Sequence, residues 1–182
     1  MDLIQKAILL HQKGSLHEAI GLYEEAMQQS PTAAGSFNLG LALAGTGQLE
    51  RARLAYMKAL HLDPSNAQAR NNLALLLNRM GRPDEGEAIL RSMLEEQPDS
   101  CDIAANLAGL MSMQGRPGEG ASVLYPRLKG QSFHPLGWDT LGVCLQDLGD
   151  LEAAKGCFYR SHGQDPSNAE TLFHLHAPLY DL

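Results

Sequence analysis

Residues 63–67 read Asp63-Pro64-Ser65-Asn66-Ala67, and the same five residues return unchanged as Asp165-Pro166-Ser167-Asn168-Ala169, 102 positions later. That distance is three steps of 34, and the turn-forming glycines keep the same step. Gly14, Gly47, Gly81, Gly115 and Gly149 are separated by 33, 34, 34 and 34 residues, a period that belongs to helical repeat arrays. Aligned on these glycines, Leu39, Leu73, Leu107 and Leu141 form one column, and Ala7, Gly40, Ala74, Ala108 and Gly142 form the next. Four residues before each glycine stand Leu10, Leu43, Leu77, Met111 and Leu145. Large apolar columns four apart define the inner face of a helix. After the glycine the small column Ala19, Ala52, Gly86, Gly120, Ala154 precedes by four residues the large column Tyr23, Tyr56, Leu90, Leu124, Phe158. That is the stripe of a second helix.

Each unit is thus expected to be a helical hairpin, small residues marking close helix approach and large ones filling the gaps between neighbours. A glycine just past a helix tolerates the left-handed conformation, and Leu16, Leu49 or Leu151 restarts the apolar pattern two residues later. Pro83 and Pro117 take that restart position in two repeats, where a missing N–H costs nothing. Between hairpins Pro31, Pro64, Pro98 and Pro166 stop the second helix.

The pattern resembles the tetratricopeptide repeat family from Met1 to about residue 168. The fifth unit matches best, through Trp138, Leu141, Gly142, Leu145, Ala154, Phe158 and Pro166. The resemblance implies an all-α fold: a right-handed superhelical solenoid of about five hairpins, first helices lining a concave groove. One domain over 1–182 is expected, with repeats near 1–32, 33–66, 67–100, 101–134 and 135–168. The fourth unit departs from the pattern at Pro126, an interior proline that costs about 3 kcal/mol, so its second helix should be short and followed by a loop over 129–134. The first unit has Lys6 where others have leucine, as a terminal repeat with one solvated face would. Residues 169–182 start a sixth first helix with Leu172 and Leu175 that Pro178 ends or kinks; it is read either as a cap or as the point where a longer array was cut.

Composition narrows the function. The 182 residues are 44% apolar and 19% charged, enough to bury a continuous core. A net charge of -7 without a basic run argues against a nucleic-acid partner. No apolar stretch reaches the roughly 20 residues of a membrane span. The start of the chain lacks a basic leader and a small-residue cleavage site. Cys101, Cys144 and Cys157 show neither disulfide nor zinc spacing, which fits a reducing, cytoplasmic setting.

Chemistry is not suggested. Gly115-Arg116-Pro117-Gly118-Glu119-Gly120 looks like a phosphate loop but aligns with Gly81-Arg82-Pro83-Asp84-Glu85-Gly86; no strand precedes either, and the lysine and hydroxyl of a nucleotide loop are absent. His174 and His176 are two apart and point to different helix faces, while His11, His17, His61, His134 and His162 are dispersed, so no metal site is expected. No nucleophile signature stands out. No catalytic residue and no cofactor is assigned, and the chain is not expected to be an enzyme.

Nine residues before the turn glycines stand Gln5, Asn38, Asn72, Asn106 and Thr140. In the family this position faces the groove, and asparagines one hairpin apart can pair with both N–H and C=O of an extended peptide. The alternative is that they tie adjacent helices together or stay solvated. Asn38, Asn72 and Asn106 resemble the asparagine ladder in the repeat region of O-linked N-acetylglucosamine transferases. The carboxylate clamp that binds chaperone tails in other members needs Lys and Arg where this chain has Ile4, Ile8, Gln68 and Asn72, and is disfavoured. Phe37, Leu41, Asn71, Leu75, Asn78, Arg79, Asp102, Ala105, Asp139, Val143 and Asp147 complete the expected groove; Met111 and Met113 offer adaptable contacts, although Met111 lies in a packing column. Mild acidity toward the later repeats suits a peptide with a basic residue there. The expected function is protein binding, the partner an extended peptide segment. The alternatives are a substrate-recruiting domain of a larger glycosyltransferase or methyltransferase, and a scaffold that self-assembles into homo-oligomers through exposed solenoid ends.

Overall fold

The computed structural model describes residues 2–131, 133–167 and 174. Among them are ten helices and no strand: α1 (Leu3–Gln12), α2 (Leu16–Gln29), α3 (Ala33–Gly45), α4 (Leu49–Leu62), α5 (Ala67–Arg79), α6 (Pro83–Glu96), α7 (Cys101–Met113), α8 (Pro117–Leu128), α9 (Pro135–Asp147) and α10 (Leu151–Gln164). Of the expected sixth first helix at 169–182, all but His174 lies outside the described residues. By contact the chain divides into two compact units, Met1–Ile89 and Leu90–Leu182.

The turn glycines act alike in every hairpin. All five have positive φ, from 74° at Gly81 to 83° at Gly149. The residue after each glycine donates to the carbonyl of the large residue four before it: Ser15 to Leu10, Gln48 to Leu43, Arg82 to Leu77, Arg116 to Met111 and Asp150 to Leu145, at 2.8–2.9 Å. This is the left-handed glycine cap that satisfies the last carbonyls of a helix. The glycine-rich segment 115–120 is therefore a hairpin turn. Beside it Arg116 forks onto Glu119 at 2.7 Å, as Arg82 does onto Glu85, and these guanidinium hydrogen bonds hold both carboxyls below the usual carboxylate range.

The first helices begin differently, each with a side chain accepting from the third backbone N–H. Asp2, Thr32, Asn66, Ser100 and His134 do so at 2.7–3.4 Å, a cap worth about 1 kcal/mol. The repeated pentapeptide now has a physical reading. Asp63 Oδ1 accepts from the N–H and hydroxyl of Ser65, closing a turn, and Asn66 caps α5. Asp165 and Ser167 repeat the same turn.

Helix α8 has 12 residues where the other second helices have 14, as Pro126 led us to expect. It continues past the proline to Leu128, and the described residues 129–131 and 133–134 are not helical. Arg127 holds this end, donating to the carbonyls of Pro98 and Val123. His134 holds the far side of the loop, its N–H donating to Gln164 Oε1 at 2.9 Å.

In the first unit the core gathers Tyr23, Leu43, Tyr56, Leu76 and Leu77 around the small column. In the second it gathers Leu124, Leu128, Trp138, Leu141, Cys144 and Cys157. The two small columns complement each other. Gly40 is paired with Ala52, Ala74 with Gly86, Ala108 with Gly120, and Gly142 with Ala154. A β-carbon at Gly40 would lie 2.5 Å from Tyr56 Cε1, and one at Gly120 would lie 2.7 Å from the Ala108 carbonyl oxygen. From the second hairpin on, each crossing holds one β-carbon, and only the first hairpin, with Ala7 and Ala19, carries two.

Burial of Tyr56 has a consequence at high pH. It pushes the phenol up to about 12, Arg79 offsetting part of the effect; Tyr23 is raised by burial as well. An unfolded phenol ionises near 10. Above that pH the unfolded state therefore holds fewer protons than the folded one, and stability present below pH 10 is lost as the pH rises toward 12, by about 2 kcal/mol for Tyr56. Urea midpoints measured from pH 9 to 12 should fall in the parent and fall less in Tyr56→Phe; parallel declines would exclude Tyr56 as the source.

Candidate functional site

The residues 13, 9, 6 and 2 positions before each turn glycine lie on one face of a first helix, because steps of 4, 3 and 4 return to the same side. In α3 they are Ala34, Asn38, Leu41 and Gly45; in α5, Gln68, Asn72, Leu75 and Arg79; in α7, Asp102, Asn106, Gly109 and Met113; in α9, Leu136, Thr140, Val143 and Asp147. All four helices show one exposure pattern, open at the two ends and half-buried in the middle. Each unit so presents two partly open stripes, with an amide or hydroxyl and an apolar or small residue at the centre of each.

Ten of the expected groove residues lie on these stripes: Asn38, Leu41, Asn72, Leu75, Arg79, Asp102, Asn106, Thr140, Val143 and Asp147. Asn78 is half-buried one position to the side, already engaged in an interaction, as are Asn71 and Asn106. Phe37 and Asp139 differ from expectation. Phe37 packs on the first unit's core with its ring 6.0 Å from that of Tyr56. Asp139 is only 5% exposed and lies 3.3 Å from His174 Nδ1, the His174 ring stacking on Phe158. Both occupy the position next to the asparagine column, which a turn of 100° per residue carries toward the hairpin interior; Ala105 in the same column is buried too. Leu136, 48% exposed, was missed. The 4-3-4 spacing from Thr140 is the signal that finds it, together with Met113, which is 77% exposed.

The polar members are not equally available. Asn72 Nδ2 donates to the carbonyl of Gln68 at 2.9 Å, and Thr140 Oγ1 to that of Leu136 at 2.9 Å, so both spend a donor on their own helix. Asn72 retains its carbonyl oxygen and one N–H. Asn38 has no side-chain hydrogen bond among the described residues. Asp102 sits 3.2 Å from His134 Nε2, and since His134 Nδ1 accepts from the Gly137 N–H, the neutral ring carries its proton on Nε2 and donates it to Asp102. Asp147 accepts from the Ser112 hydroxyl. Groups of His, Cys, Asp and Glu able to hold a metal ion are absent among the described residues, and no described helix is long and apolar enough to cross a membrane. All three thiols are free and buried, and burial pushes each one up, away from the reactive thiolate.

Half-open stripes repeated on helical hairpins are the surface of a protein-interaction module. The model of the tetratricopeptide repeat family matches residues 37–100. Solved structures share the fold. A thermophilic tetratricopeptide repeat protein of Thermus thermophilus is 14% identical, with a TM-score of 0.77 over 96% of each chain. A tetratricopeptide repeat protein of Parabacteroides merdae is 20% identical, with a TM-score of 0.77 over 98% of this chain and 71% of its own. YrrB, described as having an unusual peptide-binding site, is 18% identical, with a TM-score of 0.64 over 93% of this chain and 88% of its own. We find no curated protein whose sequence matches. Repeats of this kind are in general non-catalytic scaffolds that bind proteins.

Proposed function

We propose that this protein is a binding module that receives an extended peptide segment of a partner along its first-helix stripes, with Asn38 and Asn72 as rungs in the first unit and Asn106 as a rung in the second. The observation that carries this reading is the stripe itself: four first helices repeat one half-open face, three of them with asparagine at the same place. Asparagine offers donors and an acceptor to a peptide backbone, so the rungs read main chain, while Leu41, Leu75 and Val143 supply apolar contact. Peptide binding by YrrB supports the reading by analogy of fold.

The test is a pull-down from source-cell lysate with the parent and with the Asn38→Ala, Asn72→Ala, Asn106→Ala triple variant, matched by circular dichroism. Each lost hydrogen bond is worth about 1 kcal/mol, so a partner found with the parent should bind the triple variant about 100-fold more weakly. Asn38→Ala should cost more than Asn72→Ala, because Asn72 already spends a donor on Gln68. A partner held equally by parent and triple variant would remove the ladder from the mechanism.

A further inference from the structure

The second unit holds a pocket of about 620 Å³ between α8, α9 and α10, away from the stripes. Leu141, Leu145 and Trp138 come from α9; Ala121, Ser122, Tyr125 and Pro126 from α8; Ala153, Gly156, Cys157 and Arg160 from α10. Comparison with the first unit's own hairpins shows how it arises. There the residues at the corresponding repeat positions are Ile20 for Ala121, Leu54 for Gly156, and Glu24 and Arg51 for Tyr125 and Ala153. Ile20 is buried, and Arg51 reaches from α4 to form an ion pair with Glu24 of α2. In the second unit two branched aliphatic side chains have become alanine and glycine, the cross-helix ion pair is gone, and a serine at position 36 has become Trp138 at the pocket wall.

The polar groups at this pocket are few. Arg160 is the one charged residue lining it, its guanidinium lying 4.7 Å from the centre of the Trp138 ring. Contact with the ring face places the guanidinium beside the hollow, and a guanidinium's N–H edge suits a carboxylate. Among the described residues no acidic side chain pairs with Arg160. Ser122 and Pro126 line the α8 side, where the proline brings no N–H to the Ser122 carbonyl. Tyr125 is 52% exposed at the rim. An apolar hollow walled by tryptophan and tyrosine, with one arginine at the tryptophan face, has the composition of a protein-binding hot spot.

We propose that this pocket is a second recognition site, for an acidic peptide segment of a partner protein that seats one large apolar side chain against Trp138 and places a neighbouring carboxylate on Arg160. The site is independent of the asparagine stripes. Its occupant is an acidic peptide segment, because a guanidinium beside an aromatic-walled hollow complements a carboxylate next to a large apolar side chain.

Trp138 is the only tryptophan in the chain, so its emission reports occupancy. The probes are capped octapeptides of Ser and Ala carrying one Phe followed two residues later by Asp, their Asn-for-Asp twins, and decanoate. Saturable change in emission is expected with the Phe/Asp peptide, and about tenfold weaker binding with the twin. Arg160→Gln, a change at an exposed side chain, should erase the difference between the twins. Gly156→Leu restores the residue found at position 54; a β-carbon there meets nothing within 4 Å, so the fold is kept while the hollow is filled and peptide binding is lost. The proposal is overturned if the Phe/Asp peptide gives no saturable change, if the twins bind alike to the parent, or if binding survives Gly156→Leu. Saturation by decanoate alone would assign the pocket to an amphiphile instead.

Discussion

Phe158→Ala is expected to lower the unfolding free energy by about 3–5 kcal/mol, the range for deleting a buried aromatic ring. Phe158 is 2% exposed, and its ring lies over Gly142, so closely that a β-carbon there would overlap Cε1. No small neighbour can fill the space, and the stacked His174 loses its platform. The chain contains its own control for this argument. The hairpin before it uses Ala108 with Leu124 at the same two positions. Gly142→Ala alone should therefore destabilise through overlap with the ring, by about 1–3 kcal/mol, and Phe158→Leu alone through a residual void. The double variant should recover at least about 1 kcal/mol of their sum. Urea unfolding of the four proteins measures the coupling, and strict additivity would show that the ring and the glycine are not matched.

Gly120→Ala should cost about 3 kcal/mol, the upper end of overpacking. The new β-carbon would meet the Ala108 carbonyl oxygen at 2.7 Å and its Cα at 3.1 Å. Backbone atoms in the middle of α7 cannot turn aside as a side chain can, so α7 and α8 must separate. Gly156→Ala, in the neighbouring second helix, meets nothing within 4 Å and should stabilise by about 0.5–1 kcal/mol, the helix propensity gained over glycine. Opposite signs for the same chemical change, read from thermal or urea midpoints of both variants, isolate helix contact from helix propensity. Destabilisation of equal size at both sites would contradict the packing at Gly120.

Much of the architecture was legible in the residues because a repeat writes each local decision several times. The spacing of Gly14, Gly47, Gly81, Gly115 and Gly149 located every hairpin turn, and the positive φ at each of them follows from what a helix needs to end. The apolar columns located the core, since residues four apart must share a helix face. Pro126 announced a shortened α8, and the structure adds that the helix runs two residues beyond it, to Leu128. The asparagine column was visible for the same reason, as a polar place that packing did not require.

Neighbouring columns were harder to read. Asp139 and Phe37 stand beside the asparagine column, and one residue of helical rotation decides between solvent and interior; the partner of Asp139, His174, comes from 35 positions away. The pocket of the second unit was out of reach of periodicity altogether. Ala121, Gly156 and Trp138 each look like an ordinary variation within a column, and they become a hollow only when α8, α9 and α10 bring them together. The sequence by itself determined the period, the turns, the helix pairs and the faces that pack, because those depend on local geometry and on contacts repeated at fixed spacing. Tertiary structure alone decided which polar side chains stay open to a partner and where a cavity remains, because exposure and void volume are set by side chains from three helices at once.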